Sequence, residues 1–137
     1  MNLLIKNLNF FYTRIPIEFN KSLFCIFDKY DSNDWKNYLT SAYSGIDKEK
    51  YFIEKNDNYK LYIKIINQQN EIRERKNYQI LKILKGDINY SDFKYASDFR
   101  LKPNSIILGT KNNVYMSKSC NDSISFVLVM EDKTDKI

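Results

Sequence analysis

With 137 residues, 43% of them hydrophobic, eleven tyrosines and nine phenylalanines, the chain suits one folded domain and is too aromatic for a disordered segment. It carries a formal charge of +5, no histidine and two cysteines. That excludes Ser-His-Asp and Cys-His nucleophiles, mixed Cys/His zinc sites and a four-cysteine site.

The elements follow in chain order. Residues 3–19 are rich in Phe, Ile, Tyr and Leu and predict one or two strands, with Pro16 at an edge because it donates no ladder hydrogen bond. They lack the basic start, continuous apolar stretch and small-residue cleavage site of a signal segment. Residues 22–27 form a short apolar run that suits a strand and places Cys25 as a small hydrophobe. A helix is expected over 33–43. Ser32 is its candidate cap, Trp35, Tyr38, Leu39 and Ala42 form one stripe, and Gly45 is its stop.

Residues 51–66 read as two strands broken at Asn56-Asp57-Asn58. In the second, Leu61, Ile63 and Ile65 alternate with Tyr62, Lys64 and Ile66, which suggests a sheet covered on both sides. A second helix is expected over 71–85, capped by Asn70, with Ile72, Ile80, Leu81, Ile83 and Leu84 on its apolar side. A third, short helix would begin after Ser91, and the chain would turn at Pro103-Asn104. Residues 105–110 and 114–117 suit a hairpin. Residues 123–130 form a continuous apolar run, the pattern of a central strand. The expected fold class is therefore α+β: one compact domain over residues 1–130, a largely antiparallel sheet with two or three packed helices, and a charged tail at 131–137.

Functional motifs are sparse. Asp28, Asp31 and Asp34 lack the central glycine and terminal glutamate of a calcium loop, and no phosphate-binding glycine motif occurs. No catalytic residue, metal ligand or cofactor is assigned. The whole charge excess lies in residues 55–102, where eleven Lys/Arg face six Asp/Glu. Binding candidates in this basic segment are Arg73, Arg75, Lys76, Tyr90, Tyr95 and Arg100, although an ideal helix would point Arg73 and Arg75 about 200° apart. Excess tyrosine with no catalytic signature points to a small soluble inhibitor, adaptor or accessory protein acting on another intracellular protein. The alternatives are DNA or RNA binding through residues 73–102, and an enzyme without a histidine-dependent site. No run of about 20 apolar residues suits a membrane span, and the expected location is cytoplasmic.

Overall fold

The computed structural model describes residues 27, 29–44, 50–57, 59–68, 71–93, 97–109, 114–120 and 124–132. The strands expected in 3–19, most of the 22–27 run with Cys25, the Gly45 stop, Tyr95 and residues 133–137 lie outside them. After a 3-10 turn at Ser32–Asp34 comes helix α1 (Trp35–Ser41). Ten strands follow: β1 (Tyr43–Ser44), β2 (Lys50–Lys55), β3 (Tyr59–Ile66), β4 (Glu71–Glu74), β5 (Gln79–Lys85), β6 (Ile88–Asp92), β7 (Ser97–Leu101), β8 (Ile106–Gly109), β9 (Val114–Ser119) and β10 (Ser125–Asp132).

The α+β expectation is thus corrected. The described chain is mostly strand, with one short α-helix and two antiparallel sheets facing each other. Six strands order as β1-β2-β3-β10-β5-β8 and four as β4-β9-β6-β7. The expected helix over 71–85 is strand β4, a connection and strand β5, and the expected short helix after Ser91 gives way to the β6–β7 pair. The apolar run Ile80-Leu81-Lys82-Ile83-Leu84 is filled from both sides of a sheet. A short run buried on both faces has no period that separates strand from helix. The hairpin expected at 105–117 is also corrected, because β8 pairs with β5 in one sheet while β9 pairs with β4 and β6 in the other.

Other sequence patterns do form the predicted elements. β2 and β3 meet around Asn56, whose side-chain carbonyl accepts from the Tyr59 amide at 2.9 Å. β10 runs between β3 and β5 and is covered on both faces. Alternation sorts the six-stranded sheet into two layers. Leu61, Ile63, Ile80, Leu84, Phe126, Leu128 and Met130 face outward, where Trp35, Tyr38 and Leu39 pack against them. Tyr62, Ile66, Leu81, Ile83, Val127 and Val129 face inward and meet Ile88, Tyr90, Leu101 and Tyr115 of the four-stranded sheet.

The helix stripe is therefore real, but α1 is only a half-buried cover with no buried residue of its own. Asp31, rather than the expected Ser32, caps the 3-10 turn by accepting from the Asn33 amide at 2.9 Å. Two contacts fix this cover in place. Lys82 donates to the Phe27 carbonyl at 3.1 Å, and Asn104 accepts from the Ser32 amide at 3.2 Å. Asn104 sits at φ 73° in the Pro103-Asn104 turn, a left-handed conformation that asparagine tolerates.

One end of the two-sheet structure is drawn shut where β5 turns into β6. Ser119 and Ser125 hydroxyls hydrogen-bond across the sheets at 2.7 Å. Gly86, at φ 85°, permits the turn, and a Cβ there would collide with Ser125 Oγ.

Candidate functional site

Between the sheets lies a cavity of about 360 Å³. Paired residues on neighbouring antiparallel strands present side chains to the same face, so the register gives its wall in rows. Lys60, Glu131, Gln79 and Gly109 form the row at one end of the six-stranded sheet. The next row inward is Phe52, Tyr62, Val129, Leu81 and Ile107, and the one after it carries Lys50, Lys64, Val127 and Ile83. Opposite, Arg73 pairs with Tyr115, Ser117 with Tyr90, and Ser119 with Ile88.

Arg75 sits in the β4–β5 connection and folds back into this wall, only 2% exposed. Its Nε donates to Gln79 Oε1 at 3.1 Å. Its Cζ lies 4.0 Å from the Tyr115 ring centre and 5.5 Å from that of Tyr90, and the two rings are stacked. A guanidinium stacks on aromatic faces in this way and keeps its in-plane N–H groups for other acceptors. Here they have none. Nη1 and Nη2 of Arg75, and the hydroxyl of Ser117 nearby on the wall, are buried without a hydrogen-bond partner among the described residues. Gly109 makes room for this arrangement, because a Cβ there would overlap Nε, Cζ and Cδ of Arg75.

A polar chain continues from Arg75. Gln79 Nε2 donates to Glu131 Oε1 at 2.7 Å, the Tyr62 hydroxyl donates to the same oxygen at 3.3 Å, and Lys60 pairs with Glu131 Oε2 at 3.5 Å. Burial, reinforced by the Glu131 carboxylate, holds the Tyr62 phenol well above its usual pKa, against the opposing pull of Arg75. Tyr62 therefore stays a neutral donor at neutral pH. In total six cationic side chains (Lys50, Lys60, Lys64, Arg73, Arg75, Lys76) and two carboxylates (Glu74, Glu131) line the cavity.

The structure divides the sequence candidates. Arg73, Arg75, Lys76 and Tyr90 come together on the cavity. Arg73 lies in strand β4 and Arg75 in the connection that follows it, so the helical objection to pairing them falls away. Arg100 is elsewhere: it is exposed and bonded to Asp87 at 3.1 Å. Sequence reasoning missed Tyr62, Gln79, Tyr115, Ser117 and Glu131. Only the intrusion of Tyr62 and Lys64 into the inward face of β3 hinted at a polar interior.

No protein-family model and no curated protein matches the chain. Solved structures do. The Cnp3 cupin domain of Schizosaccharomyces pombe superposes with TM-score 0.54 at 15% identity, covering 69% of this chain and 66% of that one. A cupin-2 domain protein from Shewanella frigidimarina gives 0.54 at 10% identity, with 75% and 93% covered. The DMSP lyase DddQ of Ruegeria pomeroyi gives 0.55 at 14% identity; 72% of this chain matches about half of the lyase, 55%. This chain has the cupin fold.

Identities this low carry the fold alone. They still correct the expectation of an inhibitor, adaptor or accessory protein, to which they give no support. Several of the matching structures are cupin-domain proteins and another is a lyase, and the fold is commonly enzymatic or metal-binding. Most of the residues read as a contact surface line a cupin cavity instead.

These residues do not fit the metal that cupin barrels commonly hold. The chain has no histidine. Glu131, one of two carboxylates on the lining, already accepts from Gln79 and Tyr62 and pairs with Lys60. No group of three His, Cys, Asp or Glu is placed to bind an ion among the described residues. Six cations around one cavity repel a divalent metal and attract an anion. None of the described helices is long and apolar enough to cross a membrane.

Proposed function

We propose that this cupin barrel binds a small anionic molecule in its cavity, with Arg75 as the anchor. The observation that carries the reading is a guanidinium 2% exposed whose two terminal nitrogens have no partner among the described residues. Buried cationic donors without acceptors cost several kcal/mol if nothing joins them, on the order of a broken buried ion pair. An oxyanion accepting two parallel N–H bonds removes that cost and adds charge-assisted bonds. Ser117 offers a third donor on the same wall, and the surplus of lysines draws an anion in.

Thermal unfolding in the presence of a panel of small carboxylates and phosphates tests this. A ligand at a hundred times its Kd should stabilise the protein by about 2.7 kcal/mol, a rise of several degrees in Tm. Arg75→Gln should remove that rise. No shift with any anion, or a shift that survives Arg75→Gln, would refute the assignment; a comparable shift with a divalent metal alone would restore the metal reading.

A further inference from the structure

The wall of the cavity is divided in chemistry. Cationic and hydrogen-bonding groups gather at the Arg75–Gln79 end and along the β2–β3 flank, where Lys50, Lys60 and Lys64 stand. Away from that flank, on β5, β10 and the facing sheet towards the Ser119–Ser125 closure, the wall is apolar, with Ile83, Ile88, Leu101 and Val127. A small inorganic ion would satisfy the first region and leave the second filled by water with few partners, an unfavourable arrangement in an apolar recess. A ligand that uses the whole cavity needs a charged head and an apolar body.

Resting on the reading of Arg75 as an anion anchor, we infer that the ligand is a small amphiphilic anion. Its head accepts from Arg75 Nη1 and Nη2, and its hydrocarbon body lies on Ile83, Ile88, Leu101 and Val127. Gly109 sets the head's position, since it alone leaves space for the guanidinium beside Tyr115.

Calorimetric titration of the whole chain with straight-chain carboxylates from acetate to decanoate, and with inorganic phosphate, tests the inference. Affinity should climb about fourfold per added methylene until the cavity is full, and phosphate and acetate should bind weakest. Arg75→Gln should lower every member by about 10- to 100-fold and leave the slope against chain length unchanged. Gly109→Ala, which displaces the same guanidinium, should do likewise, and adding it to Arg75→Gln should cost little more. Affinity independent of chain length, yet lost in Arg75→Gln, would overturn the amphiphile and leave the anion site standing. A slope that persists while Arg75→Gln changes nothing would place the head elsewhere and overturn the orientation. If neither the carboxylates nor phosphate bind, the inference and the anion reading both fall.

Discussion

Arg75 concentrates the physics of this molecule in one side chain. Folding strips water from its guanidinium and returns one hydrogen bond to Gln79 Oε1 and two aromatic faces. Stacking of a desolvated cation contributes roughly 2 kcal/mol, less than the cost of leaving the remaining donors unpaired. A residue kept for a ligand is commonly a burden on the empty protein. Arg75→Met should therefore raise the stability of the ligand-free chain by about 1 kcal/mol or more, measured by denaturant unfolding. A loss of stability would mean that the guanidinium is already satisfied without a ligand. Tyr62 gives a second expectation. Its folded pKa lies well above that of the unfolded phenol, chiefly through burial. Its contribution is thus complete below pH about 10 and is lost as pH climbs towards the folded value. Stability should fall on the alkaline side, and Tyr62→Phe should make that fall shallower. A residual slope should remain because Tyr30, Tyr38 and Tyr59 are also raised. An unchanged profile in Tyr62→Phe would count against a neutral, buried phenol.

At the scale of elements, α1 shows how a correct pattern can carry the wrong weight. Its stripe of Trp35, Tyr38 and Leu39 does face the sheet. Trp35 lies 4.9 Å from Phe126 between ring centres, with the Lys85 ammonium 4.8 Å from its ring. Yet the helix spans seven residues, none of them buried. Trp35→Ala should cost about 1–2 kcal/mol, below the 3–5 of a fully buried aromatic. An unfolding measurement above 3 would make the indole part of the core. The opposite error occurred at residues 71–85. Glutamates early, lysines late and a cluster of Ile and Leu imitate a helix, whereas β5 buries both of its faces against layers supplied from far along the chain. Propensity and local charge cannot register a second covering layer, and tertiary burial overrides them. The alternation in β3 and the unbroken apolar run of β10 were legible because a strand covered on both faces leaves that mark in the sequence itself.

For the whole molecule, the binding cavity is a product of pairings remote in sequence. Glu131 joins Gln79 from 52 residues away and Tyr62 from 69, and Arg75 reaches Tyr115 on the facing sheet. Chain closure on this scale depends on which strand lies beside which, and a strand's own residues state that it needs covering without naming its neighbour. The sequence by itself determined the chemistry on hand: no histidine, a cation excess confined to residues 55–102, and two strands needing cover on both sides. It also determined the turn at Pro103-Asn104, because few residues accept a left-handed backbone angle. Only the tertiary structure decided that Lys64, Arg75 and Lys82 of the basic segment are buried while Arg73, Lys76 and Arg100 stay exposed. Strand β4 and the connection after it, not the helix expected there, bring Arg73 and Arg75 to one cavity, and closing the two sheets took the charge of Arg75 out of water while Arg73 stays exposed. Burial is a property of what surrounds a residue, and no local run of residues contains its surroundings.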